Sequence, residues 1–488
     1  MLHRRGAVRA LMLTIFVFPA MATLVPGCLD RPIEPVEPRT TSTIVERLRQ
    51  SSVNKLDLLF VIDNSRSMGD KQQILQSAIP DLVDQLINPR CYNKKGELAS
   101  QQPNTPIQEC PQDDTLRSFK PVLDIHIGVI TSSLGSHGDA KEGSHCFEDF
   151  KDDKGQLIDR EKNSTNKVPT YESKGFLAWD PANEPTHTPQ GETNLDTLTE
   201  NLASIVVGAD EVGCGFEAPL EAWYRFLIEP RPHASIAIVG SKAVLSEEDD
   251  KTLLTQRADF LRPDSLLAII MLTDENDCSI RDGGSYHLAT GTKNHIPVPR
   301  AACAINPNDP CCKSCAEPPG DGCPDEAQHC SSTGVLNEDG SCSNPPDSPN
   351  DPALCNRVAS DQDHPDLRCY DMKRRFGIDF LYPIDRYVTG LTSQEVFDRN
   401  GEIDLNPIYK DLQPDDDNTD VRDQSLVFIA GIVGVPWQDI ARRNANGEPD
   451  LLNGCAGPCV DKDDDGKPDN AVGGFQSADE LASEKTWD

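Results

Sequence analysis

The chain has 488 residues, of which 37% are hydrophobic and 26% charged, enough to fold around a large core. Its 80 acidic and 46 basic residues give a formal net charge of −34. That balance argues against nucleic acid as a partner, because phosphate contacts need clustered Lys and Arg. The acidic surplus suits a surface protein exposed to cations, and simple solubility explains it equally well.

The amino-terminal residues predict export. A basic start, MLHRRGAVR, precedes the apolar stretch ALMLTIFVFPAMATLV, an order typical of a secretion signal. The box Val25-Pro26-Gly27-Cys28 resembles the cleavage site of bacterial lipoproteins, which implies removal of residues 1–27 and lipidation of Cys28. Pro26 is unusual in such a box, so ordinary secretion with cleavage nearby remains an alternative. Acyl chains on Cys28 would anchor the protein to a membrane, since each buried methylene contributes roughly 0.8 kcal/mol.

Residues 28–54 predict a stiff tether that holds the folded part away from that membrane, because Pro recurs at short intervals. The expected location is the cell envelope, as an outer-membrane or cell-surface lipoprotein. The chain has 17 Cys, so setting Cys28 aside leaves 17 − 1 = 16, an even number. In an oxidising compartment these indicate disulfides, whose pairing the spacing does not reveal.

Four nearly continuous apolar runs predict buried parallel strands. They are Leu56–Ile62, Leu123–Thr131, Leu266–Thr273 and Ser425–Gly434. Between them, helical periodicity covers Ile74–Ile87 (with Pro80 inside), Asn194–Val207, Phe216–Ile228 and part of Asp371–Leu391. Strands that alternate with helices indicate an α/β fold with a doubly wound, mostly parallel sheet.

Two long segments interrupt this alternation and are interpreted as insertions. Residues 134–192 are rich in Gly, Asp, Lys and Pro, with an edge strand expected at GFLAW. Residues 278–369 hold ten Cys and little apolar periodicity, which predicts loops stapled by disulfides rather than a separate hydrophobic domain. Cys91 and Cys110 bracket a further loop of this kind.

Oxygen-bearing side chains follow the first and third apolar runs. Asp63, Ser65 and Ser67 come directly after the first, and Asp274 after the third. Ligands of doubly wound sheets bind beyond the carboxyl ends of the strands, so these four side chains are expected to meet there. An all-oxygen set suits Mg²⁺, with Ca²⁺ or Mn²⁺ as alternatives. Because only two of the four are carboxylates, the ion would stay positive and attract an acidic side chain of a protein ligand.

The pattern Asp63-x-Ser65-x-Ser67 behind an apolar strand, with the sequence LTD ending at Asp274, resembles the von Willebrand factor type A (VWA) domain. The resemblance covers about residues 55–440, and the loops GCGFE and DENDCS resemble bacterial surface lipoproteins that carry this domain. It implies a metal-ion-dependent adhesion site, formed in that family by the DxSxS loop, a Thr of a second loop and this Asp. The implied function is cation-dependent protein binding or adhesion, not catalysis.

One position departs from the family pattern. Cys214 stands where the second loop normally carries Thr, and Thr193 is a competing candidate for that role. Cys214 is preferred, since the helix that normally precedes this loop then falls at Asn194–Val207. Cys cannot serve as a hard oxygen ligand, which puts the ion in doubt. Cys278 lies four residues after Asp274, and the hypothesis is a Cys214–Cys278 disulfide that clamps the metal site.

The acidic tail, residues 441–488, contains a second cation motif, DKDDDGKPD. Its carboxylates, at positions one, three, five and nine of a loop with Gly466 at position six, are Asp461, Asp463, Asp465 and Asp469. Alternate carboxylates around a Gly turn favour Ca²⁺. Position twelve holds Val472 instead of Glu, so the motif is not a complete EF-hand. A solvated acidic loop is the alternative.

The sequence is also compatible with two other functions. A structural envelope protein would use cations and disulfides only for stability. An extracellular enzyme is the second alternative, although the sequence contains no GxSxG elbow, HExxH stretch or phosphate-binding Gly loop.

Overall fold

A computed structural model describes most of the chain from residue 55 onward. The described ranges are 55–138, 152–181, 190–290, 296–326, 367–413, 421–434, 440–462 and 467–477, without 107, 165 and 215, and the short pieces 330, 335–336, 342–343, 363 and 480. The predicted signal, Cys28 and the tether lie outside them. The described residues belong to two compact units, one that ends at 434 and one that begins at 440.

The larger unit is built on a five-stranded mixed sheet. Its strands are β1 (Lys55–Ile62), β2 (Asp124–Thr131), β3 (Phe176–Trp179), β4 (Leu266–Thr273) and β5 (Val427–Val433). They lie in the order β5-β4-β1-β2-β3, with the first four parallel and β3 antiparallel to β2. The α/β class, the four apolar strands and the edge strand at GFLAW are therefore confirmed.

Helices cover both faces of this sheet. They are α1 (Gly69–Ile87), α2 (Leu195–Val207), α3 (Pro219–Leu227), α4 (Lys251–Phe260) and α5 (Ile384–Thr392). Apolar stripes of α1 and α2 pack on one face, and those of α3 and α4 on the other. Helix starts follow local chemistry: the side chain of Asn194 accepts hydrogen bonds from two amides of α2, and that of Asp250 accepts one from α4. Helix α1 continues through Pro80.

Shorter elements decorate the connections. Antiparallel pairs form between Cys91–Asn93 and Thr115–Arg117, Ile236–Val239 and Lys242–Leu245, Val335–Leu336 and Cys342–Ser343, and Glu395–Phe397 and Ile403–Leu405. Short helices span Ala301–Ile305 and Met372–Phe376. The described helices include none that is both long and apolar enough to cross a membrane.

Disulfides staple the predicted insertions. Pairs Cys303–Cys312, Cys311–Cys323 and Cys315–Cys330 each close a short loop, and Cys91–Cys110 closes the loop after α1. The Cys278–Cys369 pair joins the two ends of the long insertion, with Cα atoms 5.4 Å apart. In the tail, Cys455 pairs with Cys459. These bonds supplement a small apolar cluster in which Ile280, Ile296 and Val298 of the insertion pack with Phe376 and Phe380 beyond it.

The prediction that Ser425–Gly434 is a buried strand is wrong in one respect. The strand forms, but Ile429 is 43% exposed and Ile432 is 52% exposed. Strand β5 is an edge strand that pairs with β4 alone among the described strands. A continuous apolar run thus located a parallel strand without revealing whether other elements cover it.

Candidate functional site

The four predicted ligands converge at the carboxyl edge of the sheet. Asp63 directly follows β1, and its amide donates to the Leu272 carbonyl of β4 across 2.9 Å, which fixes the two strand ends side by side. The Asp63 carboxylate accepts the Ser65 amide at 2.8 Å, so the loop turns back over the strand end. Asp63, Ser65, Ser67 and Asp274 are called the rim site below.

Ser67 connects the two halves of the rim site. Its hydroxyl donates to Asp274 Oδ1 at 2.9 Å and lies 3.1 Å from the hydroxyl of Ser65. Residues 207 positions apart in the chain therefore share a hydrogen bond. The rule that parallel strands end at a common edge placed these residues correctly.

The Asp63 carboxylate is fully buried. Burial raises its pKa, as does the charge of Asp274, against hydrogen bonds from Thr273 and Ser65 that lower it. The Thr273 hydroxyl donates to Asp63 Oδ2 at 2.6 Å. A buried carboxylate that faces a second carboxylate gains from any cation placed between them.

Two further carboxylates that sequence reasoning missed lie beside the rim site. Glu217 is only 5% exposed and lies close enough to Glu275 for their charges to interact, while the Ser67 hydroxyl donates to Glu275 Oε1 at 3.4 Å. Burial together with the charges of Glu275 and Asp63 raises the pKa of Glu217. Partial desolvation and the charges of Asp63 and Asp274 raise that of Glu275. The site is thus richer in acid than the two carboxylates that the sequence indicated.

Backbone contacts explain how Glu217 reaches the rim. The amide of Cys278 donates to the Glu217 carbonyl at 2.7 Å, and the amide of Ala218 donates to the Ser132 carbonyl at 2.9 Å. The loop before α3 is therefore tied to the loops that follow β4 and β2. The sequence feature that could have indicated this position of Glu217 is an acidic residue just before a helix that starts with Pro219.

The predicted Cys214–Cys278 clamp is wrong. Cys278 pairs with Cys369, and Cys214 is disulfide-bonded to a different partner. Cys214 does lie in the second loop, where its amide donates to the Ser133 hydroxyl at 2.9 Å. Thr193, the competing candidate, is exposed at the start of α2. The pairing was expected because both cysteines were placed on loops of the metal site, but each of them is bonded to another cysteine.

Asp277 is half-buried beside the start of α3. Its carboxylate accepts the Leu220 amide at 3.1 Å and the Ser279 amide at 3.0 Å. It therefore satisfies a free amide in the first turn of α3 and orients that helix towards the rim. Its role is structural.

The donor chemistry of the rim fits a hard divalent cation. Carboxylate and hydroxyl oxygens are the ligands that Mg²⁺ and Ca²⁺ prefer, and the side chains of Ser65, Ser67 and Asp274 are joined through direct contacts. Within the described residues, no group of three or more His, Cys, Asp or Glu side chains is arranged to hold a metal. Coordination would therefore depend on the Ser hydroxyls and on water as well as on carboxylates.

Gly213 keeps the first and second loops in contact. Its amide donates to the Asn64 carbonyl at 3.0 Å, and an added Cβ would lie 2.3 Å from Asn64 Oδ1 and 2.7 Å from Ser133 Oγ. Both neighbours are buried and hydrogen-bonded to each other, so neither yields easily.

The substitution Gly213→Ala is therefore expected to displace the rim loops and to lower the free energy of unfolding by about 1–3 kcal/mol. Thermal or denaturant unfolding measures this. Gly431→Ala is the control, because its added Cβ would meet only the Val433 side chain on the exposed edge strand. Equal stability of the two variants would contradict the tight loop contact.

The tail motif is only partly described. Asp463 and Asp465 lie outside the described residues. Asp469 accepts the Lys462 amide at 2.7 Å, and its own amide donates to the Val460 carbonyl at 2.9 Å. These contacts bring the two ends of the motif together. Calcium binding there, with Asp461 as a further ligand, remains a prediction.

Comparison with known proteins gives no independent assignment, since no family model, curated protein or solved structure matches this chain.

Proposed function

We propose that this chain is an exported, lipid-anchored protein of VWA type that binds a divalent cation at the rim site and uses it to hold a protein ligand. The hydrogen bond between Ser67 and Asp274 is the observation that carries the proposal, because it joins the DxSxS loop to the distant Asp of the same motif. Asp63, Ser65, Ser67 and Asp274 would hold Mg²⁺, or Ca²⁺ or Mn²⁺, directly or through water. The anchor on Cys28 would keep this site at the cell envelope.

The nature of the protein ligand depends on Glu217 and Glu275. An acidic side chain of the ligand completes the coordination if these two carboxyl groups stay close to each other and away from the ion. If either turns towards the ion, it supplies that oxygen from within the chain. Cation binding and ligand binding are therefore two distinct properties of the rim site, and each is measured separately.

Asp63→Asn is expected to weaken cation binding by about 100-fold or more, because even outer-shell changes at metal sites cost about 10- to 100-fold. Isothermal titration of the full chain with Mg²⁺, Mn²⁺ and Ca²⁺ measures it. Asp114→Asn is the matched control, with the same loss of charge at a side chain that is 78% exposed. Unchanged affinity in Asp63→Asn, or no binding by the parent, would refute the cation site.

Ligand binding is tested by capture from cell-surface extracts. The parent is expected to retain a protein in Mg²⁺ or Mn²⁺ and to release it in EDTA, whereas Asp63→Asn retains none. Equal capture by both proteins with and without EDTA would refute cation-dependent binding.

A structural envelope protein is the second candidate. The dense disulfides of the insertion and the acid-rich rim favour it, since both serve stability without any ligand. In that case EDTA lowers the melting temperature of the parent, and no cation-dependent capture occurs.

A further inference from the structure

A basic residue, Lys71, lies beside the rim site in the first turn of α1. Its ammonium group is 3.2 Å from Asp274 Oδ2 and donates to the Ser67 carbonyl at 2.9 Å. It also lies 2.9 Å from Asp70. Lys71 thus contacts one predicted ligand through its carboxylate and another through its backbone.

The position of Lys71 in its helix is unfavourable on local grounds. The amino end of a helix carries a partial positive charge, so acidic residues are preferred in the first turn and basic residues in the last. Helix α1 begins at Gly69, which makes Lys71 its third residue. The contacts with Asp274 and Ser67 offset this local cost, and they point to the rim as the reason for a cation at this position.

The charge of the rim gives Lys71 its role. The charge of Asp274 raises the pKa of Asp63 and of Glu275, so negative charge accumulates at the site. Lys71 supplies one positive charge on the solvent side, from a side chain that is 39% exposed and therefore free to move away.

We infer that Lys71 is a resident counter-ion of the rim site, which a divalent cation must displace from Asp274 in order to bind. This inference rests on the proposed cation site. Asp274 cannot keep both partners at full strength, because the ammonium group and the divalent ion compete for the same carboxylate. The native Lys therefore lowers the cation affinity and sets the concentration at which the site fills.

Lys71→Gln tests the inference. The variant keeps a side chain of similar reach but loses the charge, and its affinity for Mg²⁺ and Mn²⁺ is expected to rise about fivefold, the scale of a partly exposed ion pair. Lys71→Arg keeps the charge and is expected to bind within twofold of the parent. Isothermal titration of the full chain measures all three proteins.

Lys174→Gln is the matched control. Lys174 also contacts two carboxylates, Glu172 at 2.8 Å and Asp259 at 3.3 Å, and is 34% exposed. Its loss is expected to leave the cation affinity unchanged, which excludes a general effect of net charge.

The outcomes separate the two proposals. Tighter binding by Lys71→Gln alone supports the counter-ion. Equal affinities of the parent and Lys71→Gln overturn the counter-ion and leave the cation site intact. A rise of the same size in Lys174→Gln also overturns it. Absence of binding in every variant overturns both.

Discussion

Asp57→Ala is expected to lower the free energy of unfolding by about 3–5 kcal/mol, because it leaves the buried Arg422 without its carboxylate. Asp57 lies inside β1 with no exposed surface. It accepts hydrogen bonds from Arg262 Nε at 2.9 Å and from Arg422 Nη2 at 3.0 Å, and Ser265 contacts it as well. Burial alone would raise the pKa of Asp57, but the two Arg charges lower it below its usual value, so the carboxylate stays ionised at neutral pH.

The burial of Arg422 is the main reason that the expected loss of stability is large. Its side chain is 1% exposed, and its other hydrogen bonds go to neutral groups, among them the carbonyls of Ser265 and Ile408. Denaturant unfolding followed by circular dichroism measures the change. Lys94→Ala, which breaks an ion pair with Asp114 that is 78% exposed on both sides, is expected to change nothing measurable. A loss below about 1 kcal/mol in Asp57→Ala would contradict the role assigned to this network.

This network shows what sequence reasoning overlooks. The run Leu56–Ile62 predicted β1 because its apolar residues are continuous, yet Asp57 inside it was given no role. A carboxylate within a buried strand requires buried partners, which is a usable signal. The partners themselves, Arg262 and Arg422, were not predictable, because they come from two distant loops.

The rim site likewise contains residues that were predictable from the sequence and residues that were not. Asp63 and Asp274 were predictable, since each follows a strand and parallel strands end at one edge. Glu217 was not, because its approach depends on how the loop before α3 bonds to the ends of two other strands. Disulfide pairing failed for a similar reason. The partner of Cys278 is Cys369, which lies 91 residues later in the chain. The spacing of the cysteines does not show how the chain between them folds.

A loss, between pH 6.5 and pH 4, of the stability that two histidines contribute is the second large effect that we expect. Two buried histidines have a pKa of about 4, well below their usual value. For His126, burial is the main cause and the charge of Arg262 adds to it. Its Nδ1 donates to the Phe260 carbonyl at 2.9 Å, and its ring packs 4.6 Å from that of Phe176.

The pKa of His233 is lowered mainly by burial and also by the charges of Arg225 and Arg399, whereas the charge of Asp282 raises it. Its Nδ1 lies 3.2 Å from Arg225 Nη1 and 3.9 Å from Asp282 Oδ2. The close guanidinium group donates to the neutral ring, so protonation of His233 would break that contact. Both histidines are therefore neutral in the folded protein at pH 5.

The difference in proton uptake between the unfolded and folded states determines the direction in which stability changes with pH. Below pH 6.5 the unfolded chain protonates these two histidines, whereas the folded protein does not until about pH 4. The unfolded state thus gains stability as the pH falls, by up to about 3 kcal/mol for each histidine. Calorimetric melting at intervals from pH 7 to pH 4, compared between the parent and a variant without these histidines, measures this contribution.

The double variant His126→Gln with His233→Gln isolates this contribution. Gln at position 126 still offers a donor to the Phe260 carbonyl but does not titrate. Carboxylates titrate in both proteins, so the difference between the two curves reports on the histidines alone. We expect the double variant to be less stable at pH 7 and to lose much less stability on acidification. Parallel curves would mean that the histidines are protonated in the folded state, contrary to their burial beside Arg262 and Arg225.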